Sequence, residues 1–97
     1  VDLRVAVIKE AEKIEKSDKL VKLQIDLGRE QRQIVAGIAK QFSPENLIGR
    51  RIIVVANLKP AKLMGEESQG MLLAAEGDEL LSLLTVEDDL PPGSAIR

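Results

Sequence analysis

Val21, Leu23, Ile25 and Leu27 alternate strictly with Lys22, Gln24 and Asp26. That two-residue period predicts a strand with one buried face. Upstream, Leu3-Arg4-Val5-Ala6-Val7-Ile8 reads as a first strand. The charged residues 9–18 offer only Ile14 as an anchor, so the chain is expected to run on as strand into a turn rather than form a helix. Gly28-Arg29-Glu30 supplies a turn, and Gln33-Ile34-Val35-Ala36-Gly37-Ile38 a third strand, so the second and third pair as a hairpin. Ser43-Pro44-Glu45 gives an N-cap, a proline at the first helical position and an acid at the positive end of the dipole. Gly49 ends that helix after little more than one turn.

Further apolar runs follow in the second half of the chain. Ile52-Ile53-Val54-Val55-Ala56 is apolar on both faces and predicts a central strand. Met71-Leu72-Leu73-Ala74-Ala75 reads as another buried segment. Leu80, Leu81, Leu83, Leu84 and Val86 follow, and then the turn-forming Asp88-Asp89-Leu90-Pro91-Pro92-Gly93. One or two further strands, a turn and an extended end are expected there. Three strands, a short helix and two strands is the order of an oligonucleotide-binding barrel. The chain is therefore expected to be all-β with one short helix: a five-stranded barrel over about 3–75, with C-terminal extension strands over 76–97.

Ninety-seven residues suffice for one small domain and not for two cores. With no cysteine and no histidine, disulfides, thiolate metal sites, the commonest zinc ligand and the commonest general base are all missing. No metal and no cofactor is expected, and catalysis would have to rest on carboxylates, lysines or serine. Glu66-Glu67 and Asp88-Asp89 show no spacing that makes them converge. The chain is read as a non-catalytic module. No signal peptide or long apolar run is present, which points to a cytoplasmic protein without membrane attachment. A start at Val1 fits either a piece of a longer protein or N-terminal trimming.

The net charge of −2 conceals a segregation. Residues 1–65 carry 13 Lys and Arg against 8 Asp and Glu, and residues 66–97 carry one Arg against 8 acids. Between residues 46 and 65 stand Arg50, Arg51, Lys59 and Lys62 with no acid. Local fields, not the overall sum, decide what such a surface attracts. The segment Asn57-Leu58-Lys59-Pro60-Ala61-Lys62-Leu63-Met64-Gly65 joins two strands, with lysines on either side of a rigid proline. Lysine is a compact point charge suited to phosphate, so the loop reads as a phosphate-backbone clamp; plain solvated lysines are the alternative. Asn57 either donates to a ribose or phosphate or shapes a turn. Lys19 and Arg32 stand at strand ends and would extend a basic face, whereas Arg50 and Arg51 are adjacent in a strand and point to opposite faces. Phe42, the one aromatic residue, is read as core. Barrels that bind single strands stack bases on aromatic rings. With its single ring read as core, this chain cannot do that, so a structured RNA read through its backbone is the better fit.

Several blocks taken together resemble a known family. They are Asp18-Lys19-Leu20, Ile25-Asp26, Arg32-Gln33-Ile34-Val35-Ala36-Gly37-Ile38, Pro44-Glu45-Asn46-Leu47-Ile48-Gly49, Val54-Val55-Ala56-Asn57-Leu58-Lys59-Pro60 and Ser68-Gln69-Gly70-Met71-Leu72-Leu73-Ala74-Ala75. In this order they are similar to the tRNA-binding domain appended to methionyl-tRNA synthetases, which also occurs as a stand-alone structure-specific tRNA-binding protein. The match is strong over residues 3–75 and looser beyond. One departure is local: the family's His-Pro pair is Ile14-Glu15 here, with Ser17 for an alanine. A secretion-chaperone branch of the same barrel normally lacks the Lys-Pro-x-Lys-Leu-x-Gly run in this form, so its presence favours the synthetase-like branch. The resemblance implies tRNA as partner, phosphate contact at Lys59 and Lys62, a hydroxyl contact from Ser68, and Met71 exposed beside the RNA, with a core methionine as the alternative for the last. It further implies a homodimer through Leu80, Leu81, Leu83, Leu84 and Val86; a purely structural homodimerisation module, its basic loop incidental, or a stand-alone tRNA-binding or chaperone-like protein are the alternatives to a synthetase's tRNA-binding module.

Overall fold

The computed structural model describes all 97 residues. Strand β1 (Leu3–Lys13) is longer than its apolar run because its charged second half pairs with β2 (Val21–Asp26). Its first half pairs with β4 (Arg51–Val55) instead. The register shifts between Ile8 and Glu10, at the point where β1 changes partner. A bulge bends a strand and increases its twist, and here it lets one strand serve two walls of a barrel. Residues 9–18 are thus strand and then turn, as expected, with Ser17 Oγ accepting from the Lys19 and Leu20 amides.

The alternation in β2 places Val21, Leu23 and Ile25 in the core and leaves Lys22, Gln24 and Asp26 outside. Strand β3 (Gln31–Ala36) pairs with it around the Gly28 turn. The helix α1 (Pro44–Leu47) is one turn long and plugs the barrel with Leu47, which is fully buried. Ser43 has the extended backbone of an N-cap, but its side chain makes no capping bond. Beyond the helix, the Gly49 amide donates to Ile8 O at 2.8 Å, which ties the helix end to β1.

Five short strands and the tail complete the chain. Strands β5 (Ala61–Leu63) and β6 (Glu66–Ser68) form a hairpin between β4 and β7 (Met71–Leu72). The main sheet runs β3-β2-β1-β4-β7. It closes when β6 and β7 return to β3: Gln69 N donates to Gln33 O at 2.8 Å, and Gln33 Nε2 to Glu67 O at 2.8 Å. This is the expected oligonucleotide-binding-type barrel. The expected buried run 71–75 is corrected: only Leu72 is buried, because Met71 faces outward and Ala74 and Ala75 enter a second hairpin. That hairpin pairs β8 (Ala74–Glu76) with β9 (Leu81–Leu83).

The C-terminal end returns to β1, where Val5 N donates to Ser94 O and Gly93 N to Val5 O. There the Pro92-Gly93 turn meets the Leu27-Gly28 turn backbone to backbone. A Cβ on Gly28 would stand 2.6 Å from Pro92 O, and one on Gly93 would collide with Leu27 O. Both residues have positive φ, so glycine is required twice over. No helix is long and apolar enough to cross a membrane.

Candidate nucleic-acid interface

The basic segment leaves the barrel at Ala56 and re-enters it at Gln69. Its lysines, Lys59 and Lys62, are exposed and make no ion pair. The segment is half hairpin rather than loop. The Met64-Gly65 turn, with φ of 52° and 83°, folds β6 back on β5. This sets Lys62 opposite Glu67 in the ladder, without an ion pair. A stretch free of acids along the chain therefore acquires carboxylates in space, which sequence spacing alone does not show.

Arg32 holds the base of this segment. Its guanidinium donates to Ala56 O and, at 3.4 Å, to Gln69 O, the residues that bracket the excursion. It also donates to Glu30 at 2.9 Å, and this bond, reinforced by the charge of Arg32, holds the Glu30 carboxyl below the usual carboxylate range. Ser68 is buried, its hydroxyl accepting from Val35 N at 2.9 Å and donating to Gly70 O at 3.0 Å. Both bonds point inward, so Ser68 pins β6 to β3. Asn57 Oδ1 accepts from the Asp2 amide at 2.8 Å and anchors the start of the segment. Three of the expected contact residues, Arg32, Ser68 and Asn57, thus support the segment.

Lys19 and Met71 are exposed. Lys19 lies in the turn before β2, near Lys22, which reaches across to the hairpin at Glu66 (3.5 Å) and binds Glu12 at 2.9 Å. Its bond to Glu12, ahead of the opposing cost of burial, raises Lys22 above the ordinary ammonium value. Arg50 and Arg51 are committed elsewhere. Arg50 lies 5.2 Å from the centroid of Phe42 and bonds Asn46 O, while Arg51 bonds Leu90 O and Asp89. Phe42 is partly buried and packs against the core, with Arg50 over its ring.

The C-terminal leucines divide. Leu83 is 8% exposed and belongs to the barrel's own core, and Leu81 packs against it. Both were expected at an interface; the β8–β9 hairpin turns them inward instead. Leu80, 80% exposed, and Leu84, 38% exposed, remain outside, with Val86 half-buried. Sequence reasoning also missed Gln33 and Gln69, which stitch the barrel shut through Gln33 N to Gln69 Oε1 at 3.2 Å. The polar triplet Ser68-Gln69-Gly70 between two strands was the available signal.

Comparison with known proteins decides what this arrangement is. Residues 3–95 match the family described as "Putative tRNA binding domain". The chain belongs to that family. This tRNA-binding domain is 62% identical over 96 residues to methionine–tRNA ligase of Thermotoga maritima, a match that takes in 99% of the chain. It spans about 15% of the length of the curated relatives it matches. Among solved structures it resembles a MetRS-related protein of Pyrococcus horikoshii, with a TM-score of 0.92 and 45% identity over 99% of this chain and 89% of that one. It also resembles the chaperone CsaA of Bacillus anthracis, with a TM-score of 0.89 and 32% identity over 99% and 90% of the two chains.

Proposed function

We propose that this domain is a non-catalytic tRNA-binding module of a methionine–tRNA ligase, which raises the ligase's hold on tRNA in the cytoplasm without choosing among tRNAs. The observation that carries this is the braced basic segment: Lys59 and Lys62 stand unpaired on an excursion whose two ends are gripped by one guanidinium. Such a frame fixes where two cations meet a polyanion and offers no base-reading surface. Lys19 and Met71 flank the same RNA, and Asn57, Ser68 and Arg32 hold the segment in register. Two copies pair through the exposed residues of the C-terminal segment. A stand-alone chaperone is the second reading, favoured by the likeness to CsaA.

Titration of several unrelated tRNAs between 50 and 200 mM salt tests the proposal. Each phosphate contact adds about 0.7–0.9 to the log–log slope. The expected result is similar affinity for all tRNAs and a steep salt dependence, with the slope lowered by about 1.4–1.8 in Lys59→Ala/Lys62→Ala. Salt-independent binding, or strong choice of one tRNA, would refute it. Binding of unfolded polypeptide in preference to tRNA would favour the chaperone.

A further inference from the structure

A cleft of about 330 Å³ lies between the β2–β3 turn and the C-terminal Pro92-Gly93 turn, outside the segment described above. Three arginines line it, Arg4, Arg29 and Arg32, against two acids, Asp2 and Glu30. Two of the guanidinium groups are engaged. Arg4 holds Asp2 at 3.1 Å and Gly93 O at 3.1 Å, and Arg32 holds Glu30 and the carbonyls of Ala56 and Gln69. Arg29 has no ion pair and no side-chain hydrogen bond; within the first 65 residues it is the one arginine so placed. The cleft is polar and open, and it carries one net positive charge.

Position gives this cleft its meaning. Ala56 lines it and is also the residue from which the basic segment departs. Asp2, on its rim, donates its amide to Asn57. Lys59 is three residues beyond Ala56, so chain reach keeps their Cα atoms within about 11 Å. The cleft and the lysine therefore lie within the span of a few nucleotides of one strand.

We infer that this cleft seats a backbone phosphate of the same RNA, bound by Arg29, with Glu30 as a competitor that occupies Arg32 until the phosphate arrives. The inference rests on the tRNA-binding reading above and adds a second anion site to it. The chemistry favours a phosphate over a base. The lining offers guanidinium donors and no aromatic face, and guanidinium forks match phosphate oxygens in bidentate fashion. Glu30 is 55% exposed on its side chain, so it can swing into water without leaving a buried charge behind. A carboxylate so placed weakens anion binding by like-charge repulsion and keeps free phosphate out. A polyanion already held at Lys59 and Lys62 meets the same repulsion at high local concentration and overcomes it.

The test compares tRNA binding by the wild-type domain, Arg29→Ala and Glu30→Gln across the same salt series, with thermal melting to confirm that each variant folds. Arg29 sits at an exposed turn, so its removal should leave the melting temperature almost unchanged. The expected result is a slope lower by about 0.7–0.9 in Arg29→Ala and several-fold tighter binding in Glu30→Gln. An unchanged slope in Arg29→Ala, with wild-type binding still steeply salt-dependent, would overturn the cleft and leave the tRNA-binding reading intact. Loss of tRNA binding by the wild type itself would remove both. Inorganic phosphate alone serves as the probe for a free anion. Amide shifts at Gly28 and Gly93 at low millimolar phosphate, equal to those seen with tRNA, would show a free-phosphate site and overturn the role of Glu30.

Discussion

Ser68 shows how a residue beside a binding surface can matter through its inward bonds. Its Oγ is the partner of the Val35 amide, and both lie in the closed wall of the barrel. Ser68→Ala removes the acceptor and leaves a buried N–H unsatisfied, which costs about 1–3 kcal/mol. Urea denaturation should show a midpoint lowered accordingly, with an unchanged slope. If Ser68 instead touched phosphate and did nothing else, stability would hold and only tRNA affinity would fall. Arg32 belongs to the same class of support, with its charge shared among two carbonyls and Glu30. Lysine at this position would keep the charge but lose the planar fork that reaches both ends of the segment at once.

At the scale of elements, most of the barrel was legible because its strands obey a period. The alternation from Val21 to Leu27 placed β2, and the apolar run from Ile52 placed β4. The β5–β6 hairpin was not legible. Its strands are three residues each and its turn, Met64-Gly65, uses a methionine at positive φ, a position that sequence statistics give to Asn or Gly. The inward turn of Leu81 and Leu83 was equally hidden, since a leucine-rich run looks the same whether it faces its own core or a partner. Nor did the sequence reveal that the last turn packs on the β2–β3 turn, a contact between residues more than sixty positions apart. That contact has a sharp consequence. Gly93→Ala sets a Cβ into the Leu27 carbonyl and forces a left-handed backbone on alanine. The expected loss is about 1–3 kcal/mol in chemical denaturation. An alanine variant as stable as the wild type would mean that the tail does not dock on the β2–β3 turn in solution.

For the whole molecule, the arrangement of charge and exposed leucine argues for a dimer whose salt response is opposite to that of RNA binding. Residues 66–97 hold eight acids and one arginine, and within them Leu80 and Leu84 remain exposed. Bringing two copies together through this end buries apolar side chains but also brings two acidic segments close. Salt screens that repulsion, with a Debye length falling from about 10 Å at 0.1 M to about 3 Å at 1 M, and leaves the apolar contribution in place. The dimer should therefore tighten as salt rises, while tRNA affinity falls. Cutting the chain after Ala75 would remove Leu83 from the core and the tail from β1, so point substitutions are needed. Leu80→Glu/Leu84→Glu changes only the outer residues. Sedimentation equilibrium at 50 and 500 mM salt should find the wild type more dimeric at the higher salt and the double variant monomeric at both, with an unaltered melting profile. A monomeric wild type at high micromolar concentration would refute the dimer. A double variant that still pairs would move the interface to the barrel wall, and would then set the two basic faces on the dimer at a different angle to a shared RNA.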